Sequence, residues 1–190
     1  MRIVVISDTH IPERASKIPN VILKFAQQAD IVVHAGDFTS KSVYESLKSY
    51  GKLVAVSGNM DFIALPEKEV FKAKNVKFGV FHGHGVYPRG DFEKLTKIGE
   101  EMDVDVLLTG HTHSPAVHKG DLVIVNPGSA TGAWGGGGGS GFPSFAVISV
   151  EDVLNLQIYE IRETLKVRTF KIEVYLAACR RSVIESLRSL

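Results

Sequence analysis

The sequence predicts an α/β domain with much parallel strand pairing, and three observations carry that expectation. Six short runs rich in Val, Ile and Leu each end in a cluster of Gly and polar residues, as buried strands bounded by turns do. Helical patterns lie between several of these runs, and alternation of the two elements favours parallel pairing. The length, 190 residues, suits one domain with its own core.

The first strand is expected at residues 3–6, ending in Ser7, Asp8, Thr9 and His10. Residues 19–29 carry Val21, Ile22, Phe25 and Ala26 near helical spacing. A second strand at 31–33 runs into His34, Ala35, Gly36 and Asp37. Ser40 is a suitable N-cap for a helix over 41–50, where Val43, Leu47 and Tyr50 share a face. Strands at 53–56 and 76–81 lead to Ser57-Gly58-Asn59 and His82-Gly83-His84. A helix over 91–102 puts Phe92, Leu95, Ile98 and Met102 on one stripe. Strands at 106–108 and 122–125 then end in Thr109-Gly110-His111-Thr112-His113 and Asn126-Pro127-Gly128.

The last part differs in character. Residues 145–150, 154–161 and 167–172 read as a strand-rich meander. Residues 173–190 read as a terminal helix with Leu176, Val183, Leu187 and Leu190 on one side, an extension of the 1–172 domain. Two roles are open to that helix, docking on its own domain or a homo-oligomer contact. Cys179 within it is taken as a small apolar residue. The glycine run at 135–141 is expected to be a mobile surface loop, with a lid over a site as the second reading.

Composition excludes several classes. Lys plus Arg is 22 and Asp plus Glu is 21, a net +1, so no bulk positive charge points to nucleic acid. Hydrophobic content of 44% argues against wholesale disorder. One cysteine leaves no internal disulfide and no Cys-rich zinc site. No apolar run approaches the length of a membrane span, and no signal-peptide pattern opens the chain, so the expected location is cytoplasmic.

The positions of the metal-capable residues are the informative feature. Asp8 and His10 follow the first strand, Asp37 the second, Asn59 the third, His82 the fourth, and His111 and His113 the fifth. Ligands of open α/β sheets bind beyond those carboxyl ends. Seven N/O donors exceed the four that one zinc takes, and one carboxylate can bridge, so two divalent ions fit better than one. Imidazole with carboxylate and amide oxygen, and no thiolate, suits Mn, Fe, Zn, Ni or Co. Manganese is the first choice among them. Two such ions clamp a phosphate ester and generate hydroxide at neutral pH.

In this order, Asp8-x-His10, Gly36-Asp37, Gly58-Asn59-x-Asp61, His82-Gly83-His84 and Gly110-His111-x-His113 resemble the calcineurin-like metallophosphoesterase superfamily over about residues 1–150. Within it the chain is similar to small single-domain phosphodiesterases. Ile11-Pro12, the run from Asn126 to Ala133, and Pro143-Ser144-Phe145 also resemble the phosphoesterase-like subunit of retromer, chiefly a protein scaffold.

The resemblance implies a four-layer αββα sandwich, two mixed sheets flanked by helices. It implies that Asp8, His10 and His113 hold one ion, that Asn59, His82 and His111 hold the other, and that Asp37 bridges. A hydroxide between the ions would attack phosphorus in line, and a small phosphodiester is the implied substrate. A non-enzymatic scaffold that keeps the fold is the alternative. Against it, the retromer subunit departs from the Gly-Asp and Gly-Asn motifs that Asp37 and Asn59 preserve here.

Strong catalysts of the superfamily carry His where this chain has Met60, which can neither bind phosphate nor give a proton. His84 is the candidate catalytic residue, read either as a contact to phosphate or as a structural imidazole beside the ligands. Asp61 is read either as a partner orienting a ligand histidine or as an exposed turn residue. His34 is expected to be a satisfied core histidine, His118 an exposed residue by a hairpin turn, and Asn126-Pro127-Gly128-Ser129 first of all a turn, with support of the site as its second reading.

Overall fold

The computed structural model describes residues 1–137 and 139–172. The elements run β1 (Arg2–Ile6), α1 (Asn20–Ala26), β2 (Ile31–His34), α2 (Lys41–Lys48), β3 (Lys52–Ala55), β4 (Lys68–Ala73), β5 (Val76–Phe81), α3 (Phe92–Glu101), β6 (Val106–Leu108), β7 (Ala116–Lys119), β8 (Val123–Asn126), β9 (Ser144–Val150), β10 (Leu154–Ile161) and β11 (Leu165–Ile172). The helix expected over 173–190, with Cys179, lies outside the described residues.

Two mixed sheets form. One has the order β11-β10-β9-β1-β2-β3 and the other β4-β5-β6-β8-β7. Each holds three neighbouring parallel strands, β1-β2-β3 and β5-β6-β8, and antiparallel strands complete it. The parallel strands are therefore the expected ones, while the meander β9-β10-β11 widens the first sheet.

Side-chain alternation explains the layering. In β1, Ile3 and Val5 face the space between the sheets, where they meet Ile31, Val33, Phe78, Val80, Val106 and Leu108. Val4 and Ile6 point the other way, against Ile22 of α1 and Leu47 of α2. On the far side, Phe81 and Leu107 pack on Leu95 of α3. The result is helix, sheet, sheet, helix. Burying each such Leu, Ile or Phe contributes about 1.5–3 kcal/mol, which makes the inter-sheet core the main source of stability.

Helix α2 begins at the Ser40 cap expected of it, and α3 is capped by Asp91. Ser40 Oγ accepts the Val43 N–H at 3.4 Å, and Asp91 accepts the Lys94 N–H at 3.1 Å. α1 is shorter than the 19–29 pattern, because Pro19 offers no side-chain cap and the helix stops at Ala26. The sequence reading passed over β4 and β7, the two edges of the second sheet. In β4 only Phe71 and Ala73 are buried, while Lys68, Val70 and Lys72 stand in solvent. Such a half-solvated edge lacks the apolar run that marks an inner strand. His118 is half-buried on β7, stacked on Phe92 at 4.8 Å, rather than exposed.

Candidate metal centre

The carboxyl ends of the parallel strands of both sheets open on one edge, and the loops there have unusual backbones. Asp8, His10, Asp37, His111 and His113 all adopt positive φ, between 46° and 67°. This region costs a non-Gly residue roughly 1–2 kcal/mol, so five instances at one place need support. Backbone hydrogen bonds supply it. The Asp8 N–H donates to Gly36 O at 3.0 Å, His10 N–H to Asp37 O at 3.2 Å, and His111 N–H to Asp8 Oδ2 at 3.0 Å.

Asp61 supports the same loops, in neither of the roles expected. Its carboxylate accepts four backbone N–H groups: Asp37 at 2.9 Å, Phe38 at 2.7 Å, Thr39 at 2.9 Å and Gly58 at 2.8 Å. It thus ties the loop after β2 to the loop after β3. Gly58 must lack a side chain, because a Cβ there would overlap the Asp37 carboxylate.

The Asn126–Ser129 segment also does more than turn. Asn126 Nδ2 donates to Gly110 O at 2.6 Å, fixing the loop of His111 and His113. Ser129 Oγ donates to Asp8 O at 2.8 Å and accepts the Ala133 N–H at 2.9 Å. A polar residue just past a strand end was the only sequence signal for these roles, and turn chemistry gives the same signal.

Asp8, His10, Asp37 and His113 come together, buried, with one ligand atom of each lying within 4.8 Å of the others. His10 Nε2 faces His113 Nε2 at 3.3 Å and Asp37 Oδ2 at 3.4 Å. His82 Nε2 lies 3.4 Å from Asp37 Oδ2 and 4.0 Å from Asp8 Oδ1. The His111 ring is 5.1 Å from that of His82, edge to face. Asn59 is exposed, although Met60 beside it donates its N–H to Asp37 Oδ1 at 2.8 Å. The His84 ring sits 5.7 Å from His82, with a buried Nδ1 that has no partner.

The orientation of two imidazoles tests whether ions fit. His82 Nδ1 meets Ala35 O at 2.7 Å, and His113 Nδ1 meets Ala133 O at 2.6 Å. A carbonyl only accepts, so both Nδ1 atoms carry hydrogen, and each ring when neutral turns an Nε2 lone pair towards carboxylates. Asp8 Oδ1 and His82 Nε2 are fully buried without a hydrogen bond, despite near neighbours. Lone pairs of nitrogen and oxygen crowded this way repel unless a cation or a proton sits among them. A metal-ligating histidine is normally fixed by such an Nδ1–H···O=C contact. The residues fit divalent metal.

The charges respond accordingly in the metal-free chain. Burial pushes Asp37 up, but the His82 imidazole and the Met60 N–H outweigh it, so the carboxyl ends well below the usual range. Asp8 behaves alike through His113 and His82. Burial alone would push His82 down; Asp37 and Asp8 outweigh it and lift it to about 8. His10 falls to about 4, mainly by burial. His34 falls to about 3 for the same reason. It is the satisfied core residue expected, since Gly36 N–H donates to Nδ1 at 3.2 Å and Thr9 Oγ1 lies 3.2 Å from Nε2.

The glycine run does not stand clear of this centre. Gly135 is buried against His113, where a Cβ would come 2.8 Å from the ring. Arg14 donates to Trp134 O at 2.7 Å, and Arg89 donates to Gly135 O. Glycine permits that approach, so the expected free surface loop is instead packed, at its start, on a candidate ligand.

A family model for the calcineurin-like phosphoesterase superfamily domain matches residues 1–153. The chain belongs to that superfamily. It is 43% identical over 164 residues to a Methanocaldococcus jannaschii protein named "Probable metallophosphoesterase", covering 86% of this chain and 83% of that one. Among solved structures it is similar to Vps29 of Entamoeba histolytica. A single-site variant gives a TM-score of 0.84 at 33% identity, covering 91% of this chain and all of the other. The wild-type protein complexed with zinc gives 0.81 at 34%, covering 90% and 99%. The calcineurin-like fold, a phosphoesterase family and a candidate metal site at Asp8, His10, Asp37 and His113 follow. Among the described residues no helix is long and apolar enough to cross a membrane.

Proposed function

We propose that this chain is a metal-dependent phosphodiesterase with a two-ion centre. In this reading Asp8, His10 and His113 hold one ion, Asn59, His82 and His111 hold the other, and Asp37 lies between. The supporting observation is the pair of imidazoles pinned through Nδ1 to backbone carbonyls, with Nε2 turned onto buried carboxylates. Bound ions there would supply Lewis acidity and an activated water. Manganese fits the nitrogen–oxygen donor set, and zinc, found with the Vps29 relative, is its first competitor.

The chain's own residues then set the substrate range. Met60 supplies no acid, which leaves His84, unpartnered at Nδ1, to assist the leaving group. General acid help is worth about 10²–10⁴ in rate, so an activated aryl diester should turn over well and an alkyl diester poorly. The likeness to Vps29, of which a Chaetomium thermophilum structure holds a cyclic peptide, favours a second reading, a protein-binding scaffold. Metal analysis by mass spectrometry, with hydrolysis of bis(4-nitrophenyl) phosphate and 4-nitrophenyl phosphate, separates the two. Two ions per chain with diester turnover that Asp37→Asn abolishes supports the enzyme. Two ions without turnover of either ester supports the scaffold.

A further inference from the structure

Arg89 follows His84 in the segment leading to α3, and its guanidinium is exposed at the rim of the centre. Its Nε donates to His111 Nε2 at 3.1 Å, and its Nη1 donates to Gly135 O. Because His111 Nε2 accepts, its lone pair is occupied and the ring hydrogen sits on Nδ1. That arrangement cannot coexist with a metal-bound neutral His111. If Nε2 coordinates, its lone pair is spent on the ion. If Nδ1 coordinates, the hydrogen moves to Nε2 and meets the Arg89 N–H head on. Coordination at either nitrogen therefore expels Arg89 from His111, and the charge of a nearby cation adds repulsion.

The expelled group has somewhere to go. Arg89 lines a cavity of about 340 Å³ together with Gly83, Gly90, Asn126 and the two chain neighbours of His111, Gly110 and Thr112. The polar groups of Thr112 and Asn126 are already committed to Ser114 O, to Gly110 O and to each other. Arg89 is the charged residue of that wall, and its donors come free once His111 is taken. A guanidinium is a planar fork that matches the oxygens of a phosphoryl group.

We infer that Arg89 is a phosphate-binding residue held in reserve by His111 and Gly135, and set free for a phosphoryl oxygen when His111 takes a metal ion. The inference rests on the two-ion reading above and goes beyond it by naming the residue that grips the anion. It gives metal and anion opposite responses to one substitution. Removing the side chain removes a competitor for His111, so metal binding should be unchanged or a few-fold tighter. Removing it also deletes a charge-assisted hydrogen bond to phosphate, which weakens anion binding by roughly ten- to a hundredfold. Arg89→Lys keeps the charge without the fork and should fall between.

The test is isothermal titration calorimetry of wild-type, Arg89→Ala and Arg89→Lys protein, first with manganese chloride and then, on the loaded protein, with inorganic phosphate. The expected result is undiminished manganese affinity in Arg89→Ala with phosphate weakened at least tenfold. Manganese uptake by all three with equal phosphate affinity overturns the inference alone. Parallel weakening of both ligands also overturns it, because that is the mark of a merely structural residue. Wild-type protein that takes up no manganese overturns the two-ion reading, and this inference with it.

Discussion

The two halves of the candidate centre are built differently. Asp8, His10, Asp37 and His113 are buried, mutually close and held by loops tied down with backbone hydrogen bonds. On the other side His82 is equally buried, yet Asn59 is exposed and His111 is half-buried with Arg89 on its Nε2. The first half is organised before any ion arrives. In the proposed two-ion reading the second needs Asn59 to turn inward and Arg89 to leave. Preorganisation comes from burial and strained loops, and openness comes from the need to admit substrate. The first ion should therefore bind more tightly than the second.

The largest effect is expected at the residue the halves share. Asp37→Asn keeps a side chain that tolerates positive φ and removes the charge. Losing a group that merely orients a ligand costs 10–100-fold in metal affinity, so losing this ligand should cost more than about 10²-fold. Metal analysis after dialysis should show both ions depleted, whereas His113→Ala should deplete mainly the first. Equal retention of both ions in Asp37→Asn would break the shared-ligand comparison.

Asp61 gives the next effect and sharpens the difference between the halves. Asp61→Ala leaves four backbone N–H groups without their acceptor, on the loops of Asp37 and Asn59 but not of His113. The second ion should weaken about 10–100-fold and the first less. Calorimetric titration reads the two steps, and far-ultraviolet circular dichroism checks that the fold is kept. A uniform loss would mean that Asp61 serves the whole domain rather than one half.

Chelation acts on both halves together. An ion that binds only the folded chain stabilises it by about 2.7 kcal/mol at a hundredfold excess over Kd. For a domain of this size that corresponds to a Tm lower by roughly 5–10 °C after metal removal. An unchanged melt after verified removal would show that the loops hold their shape without help.

The smallest effect is a pH dependence of the metal-free protein. His82 is raised to about 8 in the folded chain, from an ordinary value of 6.5. Its contribution is fully present below pH 6.5 and is lost as pH rises through 8, about 2 kcal/mol in all. Tm without metal should fall across that window. The loaded protein should stay level, because a coordinated imidazole takes no second proton. A flat metal-free profile would mean that Asp8 and Asp37 do not hold a proton on His82.

Much of the architecture was readable from local pattern. Residues 3–6, 31–33 and 106–108 are short apolar runs closed by turn residues, the pattern of a strand buried on both faces. The edge strand β4 has no such run, because Lys68 and Lys72 stand on its solvent side. The contacts of Asp61 and of Gly135 were hidden on another ground. Each depends on groups far along the chain, and residue type does not say which backbone will arrive beside a carboxylate or a glycine.

The sequence by itself determined the donor chemistry and its placement at strand ends, because a strand followed by a glycine turn is encoded within about ten residues. Its single cysteine ruled out a Cys-rich zinc site, its short apolar runs set the α/β class, and the family resemblance implied the layered fold. Only the tertiary structure decided that His10 and His113, 103 residues apart, face one another, and that Ala35 and Ala133 carbonyls set the tautomers of His82 and His113. It alone set Arg89 on His111 and gathered four amides around one carboxylate. Those contacts depend on strand order and on the packing of one sheet against the other. The free energy that holds them is spread over the whole core, beyond the reach of any local pattern.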